Sequence, residues 1–135
     1  MKVSKLMSEN IVTVEMEDRL CKVKDIFNKT NFHHLLVVDS GRLIGVISDR
    51  DLLKSLSPKI DSIAATTMDL ACLNKKVHQI MTRKPISINS DATVKDAIDV
   101  FNTNRISCIP IISNEGNPVG ILSWRDIMKA LGKSK

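Results

Sequence analysis

Gly45-Val46-Ile47-Ser48-Asp49-Arg50-Asp51 and Gly120-Ile121-Leu122-Ser123-Trp124-Arg125-Asp126 are two versions of one phrase. Each starts on a glycine, passes through hydrophobic residues and closes on Ser-x-Arg-Asp, the pattern of a strand that feeds a helix. Working outward, the likeness continues on both sides. Val3-Ser4-Lys5-Leu6-Met7-Ser8 falls on Val77-His78-Gln79-Ile80-Met81-Thr82 at an offset of 74, and Asp25-Ile26-Phe27-Asn28 falls on Asp99-Val100-Phe101-Asn102 at the same offset. One residue inserted near Glu115 moves the offset to 75, which brings Gly41–Asp51 onto Gly116–Asp126 and Lys54 and Leu56 onto Lys129 and Leu131. The insertion lies in a turn rich in Asn and Gly, where added length costs least. Self-similarity at a fixed period marks a repeated supersecondary unit.

Both copies read alike. A short strand is predicted at Val12-Thr13-Val14 and at Ile86-Ser87-Ile88. A helix follows, over 18–29 and 92–104: Val94, Ala97, Ile98 and Phe101 recur at i, i+3, i+4, i+7, and Leu20, Val23, Ile26 and Phe27 nearly so. Asp18 and Asp91 are placed near the helix starts, where a carboxylate favours the positive end. Two strands come next, Leu35–Val38 with Leu43–Ile47 and Ile109–Ile112 with Val119–Leu122, joined by the turns Asp39-Ser40-Gly41-Arg42 and Ser113–Pro118. A last helix begins after Ser48 or Ser123 and covers 49–56 or 124–131. The division is repeat 1 at 1–56, a connector at 57–76 and repeat 2 at 77–135. Pro58, Ile63, Leu70, Leu73 and Val77 give the connector a helical reading. One copy of about 55 residues makes a marginal core. The fold class is therefore mixed α/β, of the α+β kind: two β-α-β-β-α repeats packed sheet to sheet with pseudo-twofold symmetry into one module.

Composition narrows the function. The chain has 135 residues, 43% hydrophobic and 26% charged, as a globular protein does and a disordered one does not. No apolar run approaches the ~20 residues of a membrane-spanning helix, and Met1–Lys5 leads into no long apolar stretch, so neither a membrane span nor a secretory signal is expected and the cytoplasm is the expected location. Phe27, Phe32, Phe101 and Trp124 are few aromatics for stacking single-stranded bases. The net charge of +5 sits mainly in the second half, with no basic run longer than Lys75-Lys76 or Arg83-Lys84, and suits an anionic small molecule as well as nucleic acid. Cys21, Cys72 and Cys108 are odd in number and far apart, which argues against a disulfide framework or a structural zinc site. Cys21 and Cys108 read as small buried or half-buried side chains. No Gly-x-Ser-x-Gly, His-Glu-x-x-His or P-loop is present, and no enzyme is expected.

The duplicated phrase carries two readings. Ser-x-x-Asp is a helix capping box, in which Ser accepts from a free backbone N–H and Asp reaches back. The same geometry serves a nucleotide: a helix N-terminus attracts phosphate, a carboxylate matches two vicinal ribose hydroxyls, and Arg50 or Arg125 offers a fork of donors. His33 and His34 precede the second strand of repeat 1, with Ser107 and Cys108 as their equivalents, and read either as phosphate donors or as surface residues at a strand entry. A metal site is the weakest reading of the histidines, and none is expected.

The two copies, each with a Met before the first strand and each closing on Gly-x-x-Ser-x-x-Asp, resemble a pair of CBS domains, the module named after cystathionine β-synthase. Among stand-alone pairs the chain is most similar to small bacterial proteins of the acetoin-utilisation type. The resemblance implies a non-catalytic regulatory or sensor module that needs no cofactor and binds an adenosine-containing ligand: AMP, ADP, ATP, S-adenosylmethionine or NAD. It also implies composite sites. Site A takes His33, His34, Ser48, Arg50 and Asp51, walled by Pro85, Ile86 and Ile106. Site B takes Ser107, Ser123, Arg125 and Asp126, walled by Ile11, Val12 and Phe32. Site A carries more phosphate donors and is the favoured one, although Asp49 beside it disfavours the most anionic ligands. Each wall residue also reads as plain core. Leu36 departs from the family by standing where repeat 2 has Pro110, and Trp124, if exposed, marks a protein interface. A homodimer is expected, because the helices bordering each sheet need covering, and an effector protein is implied. The competing readings are a ligand-free interaction module and a weak nucleic-acid binder.

Overall fold

Leu20, Val23, Ile26 and Phe27 line one face of a helix, α1 (Leu20–Lys29), and the apolar run that follows Asn31 forms β2 (His34–Asp39). The computed structural model describes residues 1–56 and 71–133. In chain order the elements are β1 (Thr13–Glu15), α1, β2, β3 (Arg42–Ser48), α2 (Asp49–Ser55), β4 (Thr82–Arg83), β5 (Ile88–Asn89), α3 (Val94–Thr103), β6 (Cys108–Ile112), β7 (Pro118–Ser123) and α4 (Trp124–Lys133). Ser40 and Gly41 both have positive φ, 52° and 82°, as the two-residue turn between β2 and β3 requires.

The strands form two sheets, β1-β2-β3-β4 and β5-β6-β7. β1 runs parallel to β2, with Thr13 opposite Leu36 and Val14 opposite Val37. β5 runs parallel to β6, with Ile88 opposite Ile111. The first predicted strand of repeat 2 starts at Ile86, whereas β5 starts two residues later. The reason lies in β6. The Leu36 N–H donates to the Val12 carbonyl at 3.1 Å; the equivalent residue, Pro110, has no N–H, so the same rung cannot form at Ile86.

The described residues divide into two compact units that interleave along the chain: 12–39 with 44–56 and 71–84, and 1–11 with 40–43 and 85–133. Each sequence repeat thus lends its first residues to the other. In the β1–β4 unit, Val77 and Met81 are buried with Val14, Leu20, Val23, Leu35, Val37, Ile47 and Leu52. In the β5–β7 unit, Val3 is buried with Ala97, Phe101, Ile109, Ile111, Leu122 and Ile127. The same segments add an edge rung to each sheet: Val46 pairs with Thr82 and Gly45 with Arg83, while Ser8 and Ile121 exchange two hydrogen bonds of 2.9 and 3.0 Å.

The glycine that opens each phrase now has a cause. A Cβ on Gly45 would lie 2.8 Å from Met81 Sδ and 3.0 Å from the Thr82 carbonyl oxygen; on Gly120 it would lie 2.5 Å from Met7 Sδ and 2.9 Å from the Ser8 carbonyl oxygen. The methionine before each first strand is therefore packed over the hairpin glycine of its own unit.

Several sequence expectations change. The start of α3 is capped by Thr93 and Asp96, whose side chains and backbone N–H groups bond reciprocally at 2.9 and 3.1 Å, and not by Asp91, which is exposed and pairs with Lys2 at 3.2 Å. Asp18 lies two residues before α1 and accepts from the Glu15 N–H at 2.8 Å and from Lys22 at 3.2 Å. Cys21 is exposed, on the face of α1 turned away from the core. Trp124 is half-buried and packs on Phe101 with ring centroids 4.7 Å apart, against the core of its unit. Most of the predicted connecting helix, 57–70, lies outside the described residues. Leu73 falls in the single 3-10 turn Cys72–Asn74, and Val77 in a second, Val77–Gln79.

Candidate ligand-binding site

The chemistry concentrates where β3 meets α2 and where β7 meets α4. At the first junction the capping box is complete: the Ser48 N–H donates to Asp51 Oδ2 at 2.9 Å, and the Asp51 N–H donates to Ser48 Oγ at 3.0 Å. At the second, the Ser123 N–H donates to Asp126 Oδ2 at 2.9 Å and the Asp126 N–H to Ser123 Oγ at 3.2 Å. The cap uses Oδ2 in each case and pins the carboxylate to one rotamer at the mouth of its hairpin. The capping reading is thus satisfied, and the cap fixes the position of each aspartate.

His33, His34, Ser48, Arg50 and Asp51, the polar set of site A, all lie in the β1–β4 unit, as do Val12 and Phe32. Ile11, Pro85, Ile86, Ile106, Ser107, Ser123, Arg125 and Asp126 lie in the β5–β7 unit. His33 Nδ1 stands 2.8 Å from Asp49 Oδ2. An ionised carboxylate only accepts, so Nδ1 carries the proton. Burial pushes the Asp49 carboxyl up, but the His33 hydrogen bond, the Arg50 backbone N–H and the charges of His33 and His34 outweigh it and hold the group below its usual range. Burial pushes the His34 imidazole down, with a small push from His33; the carboxylates Asp49 and Asp51 pull the other way without reversing it. Burial thus disfavours the charged form of His34. Its equivalent, Cys108, is a half-buried thiol that burial pushes up to about 11. Arg50 and Arg125 are both exposed.

The His34 shift has a consequence for stability. The folded chain binds the His34 proton less readily than the unfolded chain, whose histidine titrates near ~6.5. Stability linked to this group is present above that value and is lost as the pH falls below it. His34→Asn should therefore lose less Tm than the native chain between pH 7.5 and 5.5. Superimposable Tm-against-pH curves would show that His34 does not carry the effect.

The contacts made by Asp49 and by the paired methionines are what the sequence reading missed. Nothing local marks the His33–Asp49 contact, which spans sixteen positions. Met7 and Met81, and Gly45 and Gly120, were each visible as repeated residues, but the packing of one on the other was not. The basic residues named for nucleic acid are partly engaged: Lys76 is paired with Glu17 at 2.5 Å, and Arg83 donates to the His78 carbonyl at 3.1 Å. Among the described residues, no group of three or more His, Cys, Asp or Glu stands together to hold a metal, and no helix is long and apolar enough to cross a membrane.

A family model described as the CBS domain matches residues 3–58 and again 77–133. The chain belongs to the CBS domain family. Among curated relatives of this CBS pair is the uncharacterized protein MJ1426 of Methanocaldococcus jannaschii, 29% identical over 97% of this chain and 91% of its own length. Among solved structures, the CBS domain pair of protein MJ0100 in complex with 5′-methylthioadenosine and S-adenosyl-L-methionine matches with a TM-score of 0.79 at 26% identity, over 100% of this chain and 98% of that one. The Vibrio cholerae chain called acetoin utilization protein AcuB matches with a TM-score of 0.76 over 97% of this chain and 90% of its own, at 21% identity, a likeness of fold alone.

Proposed function

We propose that this CBS pair is a non-catalytic regulatory module of the cytoplasm that binds an adenosine-containing ligand, of the AMP, ADP, ATP, S-adenosylmethionine or NAD class, and reports its level to a partner protein. The observation that carries the reading is the duplicated carboxylate, Asp51 and Asp126, each locked by its capping serine at a strand-to-helix junction. Two oxygens fixed in space suit the two vicinal hydroxyls of a ribose. The 26% identical pair of MJ0100, whose structure holds two adenosine compounds, supports the ligand class. A thermal-shift panel of methylthioadenosine, S-adenosylmethionine, AMP, ADP, ATP and NAD tests it. A ligand at one hundred times its Kd adds about 2.7 kcal/mol of stability. No shift with any of the six would leave the ligand-free interaction module as the better reading.

The surface supports a proposal about assembly. Leu53 on α2 and its equivalent Met128 on α4 are 70% and 62% exposed, and Leu131 is 60% exposed. Large apolar side chains at matching positions of both last helices need a cover. The proposed state is a homodimer at micromolar concentration, and light scattering returning the 15.0 kDa monomer mass across that range would overturn it.

A further inference from the structure

Met7 and Met81 occupy the same seat in their two units, and the seats are guarded differently. In each, the methionine N–H closes a turn, onto the Val3 carbonyl at 2.9 Å or the Val77 carbonyl at 3.0 Å, and the sulfur packs over the hairpin glycine, Gly120 or Gly45. The next residue makes the edge rung. In the β1–β4 unit that edge is a ladder: Thr82 pairs with Val46 and Arg83 with Gly45, and the Lys84 N–H donates to the Ile44 carbonyl at 3.3 Å. Met81 beneath it is 8% exposed. In the β5–β7 unit the edge is the Ser8–Ile121 rung of two hydrogen bonds, 2.9 and 3.0 Å, and Met7 is half-buried. The Ser8 carbonyl oxygen that closes this rung lies 2.9 Å from the point a Cβ on Gly120 would take, and Met7 Sδ lies 2.5 Å from the same point. Thioether and carbonyl thus share one small space over β7.

We infer that Met7 is a reversible oxidation site through which a hydroperoxide loosens residues 1–11 from β7. A sulfur lone pair attacks one peroxide oxygen. The S–O bond forms as the O–O bond breaks, and the proton on the transferred oxygen goes to the departing one, which from hydrogen peroxide leaves as water. The sulfur loses two electrons and the peroxide gains them. A methionine sulfoxide reductase reverses the step with two thiols, which leave as a disulfide and water. The change turns an apolar side chain into a polar one. The new oxygen only accepts hydrogen bonds, as does the Ser8 carbonyl beside it, so the two repel, and moving them apart opens the Ser8–Ile121 rung. Met81, held under its ladder, is the internal control. Met1 and Met128, 75% and 62% exposed, would gain their oxygen in open solvent. No residue of sites A and B takes part, so this site stands apart from the ligand binding proposed above.

Hydrogen peroxide added in steps to the folded native chain, followed by dithiothreitol to reverse any disulfide or sulfenic acid, tests the inference. Peptide mass spectrometry should find Met7 sulfoxide forming at least about fivefold faster than Met81 sulfoxide, since susceptibility follows exposure. Hydrogen exchange at the Ser8 and Ile121 amides should then quicken at least about tenfold, and the Tm should fall by about 3 °C or more. Methionine sulfoxide reductases acting on both sulfoxide epimers should restore both readings. Met7→Leu, a change that conserves volume, should lose less than about half the Tm that the native chain loses in the same peroxide. Met7 oxidising no faster than Met81, or Met7 sulfoxide forming while the two amides stay protected, would overturn the inference. So would an equal Tm loss in Met7→Leu, which would place the effect at another methionine, or a loss that the reductases do not restore, which would make the oxidation damage. If Met7→Leu does not fold, hydrogen exchange on the oxidised native chain before and after the reductases decides.

Discussion

Asp51→Ala is expected to weaken adenosine-ligand binding by about 1.5–3 kcal/mol, roughly 10- to 150-fold, and to lower folding stability by about 1 kcal/mol. The two effects have separate origins. The stability loss comes from the cap: without the carboxylate, the Ser48 N–H loses its 2.9 Å acceptor at the start of α2. The affinity loss comes from the ribose, whose hydroxyls lose a charged acceptor. Asp126→Ala removes the equivalent carboxylate, whose box has the same geometry, 2.9 and 3.2 Å, at the start of α4, and should lose a similar amount of stability. If both variants lose about the same stability and each folded variant keeps its full affinity, the duplicated aspartate is a cap and nothing more. Calorimetry on protein shown to be folded by its melting curve separates these outcomes.

Much of this was legible in the chain because the chain states it twice. The helix over 92–104 was readable from Val94, Ala97, Ile98 and Phe101 alone, and α3 runs Val94–Thr103. A hairpin needed only a turn able to take positive φ between two apolar runs, and Ser40-Gly41 supplied it. The failures share a different character. β4 is two residues long and its counterpart at Ser8 is one rung, too short for any periodicity, and both pair with a strand of the other repeat. Trp124 looked anomalous as a member of the phrase, but its ring packs on Phe101, twenty-three positions away. The candidate residues could be named from the sequence, but their contacts could not. His33 and His34 read either as phosphate donors or as surface residues at a strand entry; in the fold His33 stands 2.8 Å from Asp49, and burial pushes the His34 imidazole down. Residue type shows what a group can do; its protonation depends on neighbours that only the fold assembles.

Gly120→Ala is expected to destabilise the chain by about 1–3 kcal/mol, the usual range for overpacking. In an open strand the same change would be neutral or favourable, because alanine has less freedom to lose on folding. Here the added methyl would lie 2.5 Å from Met7 Sδ and 2.9 Å from both Met7 Cγ and the Ser8 carbonyl oxygen. The sulfur can swing away, since methionine adapts to irregular space. The carbonyl cannot: it accepts the Ile121 N–H at 3.0 Å, and moving it opens the rung that ties residues 1–11 to their unit. Met7→Ala in the Gly120→Ala background should therefore recover part of the loss and leave the part due to Ser8. Such a non-additive pair is the signature of direct contact, with a coupling of about 0.5–3 kcal/mol. Gly45→Ala should cost somewhat less, its nearest atoms being Met81 Sδ at 2.8 Å and the Thr82 carbonyl oxygen at 3.0 Å. Urea midpoints of the single and double variants at constant m-value decide the matter. A Gly120→Ala chain as stable as the native one would mean that the first eleven residues are not held over β7 as described. It would also remove the reason for a glycine three residues ahead of each capping serine.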